Sequence, residues 1–87
     1  MSHTDGELAK KLALAAEWVE IGDKYRHYKG ADMVYTVLNF AILESTEEVV
    51  VVYQAEYGER LVWVRTLEDF LAEVETGGKK MKRFAKV

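Results

Sequence analysis

The chain has 87 residues, of which 49% are hydrophobic and 31% charged, and its formal net charge is −3 at pH 7. This length and composition are typical of one small folded domain and exclude wholesale disorder. The absence of cysteine excludes disulfides, thiolate metal sites and a cysteine nucleophile, and the negative net charge provides no broad basic field for nucleic acid.

The sequence contains no segment suited to crossing a membrane. Uninterrupted apolar runs, such as residues 49–53, are far shorter than the ~20 residues of a spanning helix. Asp5 and Glu7 lie where a secretion signal would carry basic residues. We therefore expect a cytoplasmic protein of bacterial type. Because there are only two histidines, one of them beside the start of the chain, we expect no metal site, and no feature indicates a cofactor.

Residues 7–20 are predicted to form a helix. Thr4 and Glu7 have the spacing of a capping box, in which each side chain bonds a free amide of the first turn. One apolar face recurs at helical spacing and predicts docking on the rest of the domain: Leu8, Leu12, Ala15, Ala16 and Val19, widened by Leu14 and Trp18. A loosely held N-terminal arm is the alternative. The predicted boundary divides the chain into this helix (1–22) and a small β domain (23–87).

From Lys24 the hydrophobic period changes from 3.6 to 2, which predicts four strands at residues 24–29, 33–43, 48–57 and 61–65. Turn residues separate them, including Gly30 and Gly58. Strict alternation in the second strand places Phe40 and Ile42 on the side of Val34. Apolar residues occur on both of its faces, which indicates a strand that bends across a barrel or is covered on both sides.

A short acidic helix at residues 67–75 and a last strand at 79–86 complete the prediction. Thr66 is the expected N-cap, and an i, i+3, i+4, i+7 pattern follows in Leu67, Phe70, Leu71 and Val74. A helix, four antiparallel strands, a short helix and a fifth strand predict a mainly β, SH3-like small barrel. Barrel closure would remove exposed sheet edges. An open α+β roll is the alternative architecture.

Several motifs occur in a fixed order: YRHYKG at residues 25–30, VVY at 51–53, YG at 57–58, and WVR at 63–65 followed by Leu67. In these motifs the chain resembles a family of small bacterial proteins catalogued only as a domain of unknown function. The resemblance extends over residues 24–75 and leaves out the N-terminal helix. It implies no activity, because the family has none assigned.

Three positions depart from the pattern of that family. An Arg-His pair late in the second strand is replaced by Ile42 and Leu43, a basic residue after VVY by Gln54, and the proline after WVR by Thr66. If the family binds an anion through the Arg-His pair, the resemblance implies that this member has lost part of the site. It would then retain Lys24, Arg26, His27 and Arg65.

The candidate binding residues are aromatic or cationic. Rings can form a pocket or stack on a ligand, and guanidinium groups can bind a carboxylate or phosphate. The candidates are Tyr25, Arg26, His27, Tyr53, Trp63 and Arg65. Structural roles are the alternative: Trp63 as part of the core, the arginines in surface ion pairs, and His27 as a hydrogen-bonded strand residue. No residue is identified as catalytic.

Three functional hypotheses follow. The first is a non-enzymatic binding module that presents these residues to a peptide, a modified side chain or a nucleic-acid segment. The second is a small enzyme, or an accessory subunit of one, with His27 as acid/base. The third is an adaptor that forms a weak homodimer through the N-terminal helix. A basic C-terminal cluster either contacts RNA or an acidic partner or is a solvated terminus: Lys79, Lys80, Lys82, Arg83 and Lys86.

Overall fold

The structure is a computed structural model that describes residues 4–87. In chain order it contains α1 (Asp5–Ala15), β1 (Lys24–His27), β2 (Val34–Leu43), β3 (Glu48–Ala55), β4 (Val62–Thr66), α2 (Leu67–Leu71), β5 (Glu73–Thr76), β6 (Lys79–Lys82) and β7 (Phe84–Lys86). Five strands form an antiparallel sheet in the order β4-β3-β2-β1-β7, and β5 and β6 form a separate hairpin. The predicted mainly β class is confirmed. Neither helix in the described part of the chain has the length and hydropathy needed to cross a membrane.

The sheet is open, so the predicted closure into an SH3-like barrel is wrong. Its two edge strands, β4 and β7, are not hydrogen-bonded to each other. Closure would need a long last strand, whereas β5 and β6 pair with each other. The three residues of β7 are then left to join the sheet, and they pair with β1.

The helix α1 begins two residues before the predicted start and ends five residues before the predicted end. Thr4 Oγ1 accepts a hydrogen bond from the Glu7 N–H at 3.2 Å, which confirms the cap. After Ala15 the chain tightens, because the N–H groups of Glu17 and Trp18 donate to carbonyls three residues back, at 3.0 Å each. This turn brings Val19 into the core. The predicted apolar face is therefore incomplete, and Trp18 stays exposed.

A β-bulge in β2 changes which side chains reach the core. The register pairs Val37 with Tyr53 and then Asn39 with Val52, so Leu38 is an extra residue. Beyond it, Phe40 lies opposite Val51 and packs against the core. The predicted placement of Phe40 and Ile42 on the side of Val34 is therefore wrong, because strict alternation cannot anticipate an inserted residue.

The core lies on one face of the sheet and is built mainly from aromatic rings. Phe70 of α2 and Phe84 of β7 stack with centroids 4.2 Å apart. Edge-on contacts add Tyr25 at 5.5 Å from Phe70 and Tyr53 at 5.4 Å from Phe84. Four smaller residues complete this cluster with Tyr35: Val19, Val37, Val51 and Ala55. Large rings supply much of the buried area that a chain this short can achieve.

The helix α2 is shorter than predicted because a hairpin replaces its second half. Ala72 is extended, with φ −64° and ψ 150°, and β5 follows. Gly77 and Gly78 both have positive φ, 58° and 78°, as a two-residue hairpin turn of type I′ requires. The register then places acidic residues of β5 opposite lysines of β6: Glu73 opposite Lys82, and Glu75 opposite Lys80.

Candidate functional site

The structure separates the six predicted binding residues into three places. Tyr25 and Tyr53 lie in the aromatic core, and the Tyr25 hydroxyl accepts a hydrogen bond from the Glu20 N–H at 3.2 Å. Trp63 lies on the edge strand β4 and is 49% exposed. Arg65 packs against Tyr53 and Phe84 of that core, whereas Arg26 and His27 line a surface pocket.

Arg65 is held by contacts within the protein. Its Nη1 lies 2.8 Å from Asp69 Oδ2, its Nε donates to the Tyr53 hydroxyl at 3.4 Å, and its Cζ lies 5.7 Å from the Phe84 ring centroid. Partial burial opposes the charge, but Tyr53 and Asp69 outweigh it and raise the Arg65 pKa. Asp69 also pairs with Arg83 at 3.8 Å. Arg65 therefore links β4 to α2.

Arg26 and His27 line a surface pocket between the β1–β2 turn and the β5–β6 hairpin. We call it the turn pocket; its volume is about 430 Å³. The lining residues are Arg26, His27, Tyr28, Gly30, Ala31, Met81, Lys82 and Ala85. They include two fixed cations and two rings but no carboxylate. Two other surface pockets differ, because Glu48 and Glu68 line both of them.

The β1–β2 turn fixes one wall of the turn pocket. The Arg26 Nε donates to the Ala31 carbonyl at 3.0 Å across the turn, which engages one of its five donors. The His27 N–H donates to the Met33 carbonyl at 2.9 Å, and the Met33 N–H donates to the Gly30 carbonyl at 3.1 Å. A Cβ at Gly30 would lie 3.1 Å from Met33 Cγ, so glycine lets the turn pack closely on Met33.

His27 separates the turn pocket from the aromatic core. It is only 7% exposed, and its ring lies edge-on to Phe84 at 5.0 Å. Its Nδ1 accepts a hydrogen bond from the Lys29 N–H at 3.3 Å, so in the neutral ring the proton is on Nε2. Burial lowers the His27 pKa, and the charges of Arg65, Lys29 and Arg83 lower it further. Near neutral pH, His27 is therefore an uncharged hydrogen-bond donor.

The cations at the turn pocket differ from most others in their partners. Five cationic residues elsewhere form ion pairs with carboxylates: Lys24, Arg60, Arg65, Arg83 and Lys86. Within residues 4–87, Arg26 and Lys82 form no ion pair, even though Glu73 is the cross-strand neighbour of Lys82. Lys29, 6.0 Å from the Tyr28 ring centroid, forms none in this part of the chain either. Two positive charges without an ion pair, Arg26 and Lys82, therefore line the pocket.

The profile of a family described as a protein of unknown function, DUF1653, matches residues 23–86. The chain belongs to the DUF1653 family. This confirms the resemblance that the motifs indicated. A DUF1653 protein from Bordetella bronchiseptica has a crystal structure that is similar, with a TM-score of 0.70 and 37% sequence identity over 82% of this chain and 90% of that chain. No curated protein matches the sequence.

Sequence reasoning about this DUF1653 domain missed Tyr28, Met81 and Lys82 as neighbours of Arg26 and His27. Tyr28 belongs to the YRHYKG element, so that motif contained a usable signal. Lys82 stood out only as part of a basic C-terminal cluster, because its position depends on the hairpin and on the β1–β7 pairing. Among residues 4–87, no three histidine or acidic side chains converge in a way that could hold a metal ion.

Proposed function

We propose that this DUF1653 domain is a non-enzymatic binding module whose turn pocket binds an anionic side chain of a peptide or protein. A phosphorylated or acidic side chain has the right chemistry for Arg26 and Lys82. Guanidinium groups bind such oxyanions through two parallel hydrogen bonds, and an ammonium group adds a point charge. The neutral His27 is a donor without charge, and Met81 and Ala85 can contact the apolar stem of the bound residue.

The observation that carries this proposal is the unbalanced charge of the turn pocket. Arg26 and Lys82 line a pocket without a carboxylate, while five other cations are paired. Arg26 and Lys82 are both exposed and have no carboxylate partner in the described part of the chain, so their charges are accessible to a ligand. An anion from a ligand would restore the balance, with the Tyr28 and His27 rings beside it.

A peptide is favoured over nucleic acid by the distribution of charge outside the pocket. Binding along a phosphate backbone requires several basic residues in a continuous track. Here five cationic residues outside the pocket are already paired with carboxylates, and the pocket itself is large enough for one side chain. The net charge of −3 also opposes long-range attraction of a polyanion.

The test is an NMR titration of the domain with a degenerate phosphoserine peptide library, its unphosphorylated counterpart and a short single-stranded RNA. We expect the phosphorylated library to shift the amides of Arg26, Tyr28 and Lys82. Replacing Arg26 or Lys82 by glutamine should weaken binding roughly tenfold, since a charge-assisted hydrogen bond contributes about 1.5–3 kcal/mol.

Lys79→Gln is the matched control, because it removes the same charge from the same strand but outside the pocket lining. Equal weakening by Lys79→Gln and Lys82→Gln would show that net charge, and not the pocket, governs binding. Saturable binding of the RNA alone would replace the peptide with a nucleic-acid ligand. If none of the three probes shifts the pocket amides, the proposal is wrong.

A further inference from the structure

We infer that the domain forms a two-fold symmetric dimer in which the β4 strands of two copies pair in antiparallel fashion. The paired sheets would form one sheet of ten strands. The inference rests on the exposure of β4, on the direction of its backbone groups and on the self-complementary order of its side chains. It does not depend on the turn pocket, which lies at the other end of the sheet.

The β4 strand is an unprotected edge. Val62, Trp63 and Val64 are 54%, 49% and 63% exposed, and β4 contains neither lysine nor proline. Natural sheet edges usually carry such residues, or are short or covered, because an open edge invites pairing with another chain. The opposite edge fits this rule: β7 has three residues, including Lys86.

The backbone of β4 presents alternate residues to the open side. The Ala55 N–H donates to the Leu61 carbonyl at 2.9 Å, so this pair is hydrogen-bonded across β3 and the approach to β4. Residue pairs in an antiparallel sheet alternate between hydrogen-bonded and non-hydrogen-bonded. The backbone N–H and C=O groups of Trp63 and Arg65 therefore point toward β3. The N–H and C=O groups of Val62 and Val64 then face the open edge, where a second strand can bond them.

Antiparallel pairing centred on Val64 gives favourable neighbours along β4. Val64 meets Val64 of the second copy, and Trp63 meets Arg65 of the second copy on the core side of the sheet. The first pair is apolar, and the second places a guanidinium beside an indole ring. Moving the centre to Trp63 would put Arg65 opposite Leu61 and lose that contact. Because each copy uses the same patch, the assembly closes at two.

Single cysteines provide a sharp test because the chain has none. In the proposed register, two Val64 Cα atoms lie about 5.5 Å apart, which a disulfide can span, whereas two Val62 Cα atoms lie roughly 13 Å apart. Under mild oxidation we expect Val64→Cys to form a covalent dimer of twice 10.0 kDa. Val62→Cys, the matched control, should crosslink at least about tenfold more slowly. Faster crosslinking through Val62 or Trp63 would overturn the register.

Sedimentation equilibrium tests the assembly without crosslinking. We expect the unmodified chain to show a concentration-dependent dimer, and Val64→Lys to be monomeric because two like charges would meet at the two-fold axis. Ile21→Lys is the control, since Ile21 is similarly exposed but lies outside β4. A chain that stays monomeric at every concentration overturns the inference, as does a Val64→Lys variant that associates like the unmodified chain.

Discussion

His27 is the residue at which the core and the turn pocket meet. One side of its ring contacts Phe84, and the residue also lines the pocket. Its Nδ1 is engaged by the Lys29 N–H, and three cations lie near enough to disfavour a positive ring. The same residue therefore supports the fold and, in the proposed function, would supply a neutral donor to a ligand.

Because of His27, the free energy of unfolding should decrease as the pH is lowered. Its folded-state pKa is lowered from the ordinary value of 6.5, so below that value the unfolded chain binds a proton that the folded chain resists. The contribution of the neutral ring is complete above pH 6.5 and is lost as the pH falls toward the folded pKa. We expect chemical denaturation to show a steeper loss of stability over this range for the unmodified chain than for His27→Gln.

His27→Gln is the reference because glutamine keeps hydrogen-bonding capacity and binds no proton. The informative quantity is the difference between the two pH profiles, since the carboxylates common to both chains cancel. Parallel profiles would mean that His27 titrates as it does in the unfolded chain.

Arg26 and His27 are adjacent in one motif, which made both of them candidate residues, and alternation correctly separated their faces. Arg65 shows the limit of that approach. Its residue type is equally suited to an anion, but Tyr53 and Asp69 already accept hydrogen bonds from its Nε and Nη1, and Asp69 balances its charge. Whether an arginine is free depends on residues that tertiary packing brings to it, which one sequence does not show.

The β5–β6 hairpin is the element on which the turn pocket depends. It contributes Met81 and Lys82, yet every residue of β6 is exposed. Its base is tied to the rest through Arg83, whose carbonyl accepts a hydrogen bond from the Tyr28 N–H at 3.0 Å. A unit with so little buried surface opens at a lower free energy than the core.

Gly78→Val should therefore impair binding more than folding. A β-branched residue is strained at the φ of 78°, at a cost of about 1–3 kcal/mol, so the hairpin should fray. We expect faster amide hydrogen exchange across residues 73–82 and weaker binding of the phosphoserine library. Gly77→Asn is the control, since asparagine tolerates positive φ at that turn position. In the Gly78→Val variant, amide hydrogens of the core should still exchange more slowly than those of the hairpin. An equal loss of protection in the core and the hairpin would contradict local fraying.

The four strands β1–β4 were predictable to within two residues because their apolar alternation is local and turn residues bound it. The hairpin was not. Leu67, Phe70, Leu71 and Val74 have helical spacing, but the chain becomes extended after Leu71, and Glu73 and Glu75 face lysines of β6. Pairing with a later segment decided the structure there. The bulge at Leu38 was hidden for a similar reason, since it is defined by the register against β3.

At the scale of the whole molecule, the two proposed surfaces lie at opposite ends of the sheet. The turn pocket adjoins β1 and β7, and the proposed dimer edge is β4. In the dimer, seven strand spacings would separate the two β1 strands, or roughly 35 Å in an untwisted sheet. The pockets would then be too far apart for one side chain but suited to a ligand that carries two anionic groups.

The two surfaces should act independently for a ligand with one anionic group. We expect Lys82→Gln to leave the sedimentation of the domain unchanged, and Val64→Lys to leave its affinity for the phosphoserine library within about twofold. Isothermal titration and sedimentation of both variants measure this directly. A large effect of Val64→Lys on peptide affinity would place the ligand at the dimer interface and not at the turn pocket.

The pairing of β1 with β7 also affects the order in which the strands pair during folding. The strands β2, β3 and β4 follow one another through short loops, so each contact closes a small loop and can form early. The partner of Tyr25 in β7 is Lys86, about sixty residues later, and ordering so long a loop costs more entropy. The stacking of Phe84 on Phe70 then arrives with the last strand. On a growing or refolding chain, the aromatic core is completed only when the C-terminal segment docks.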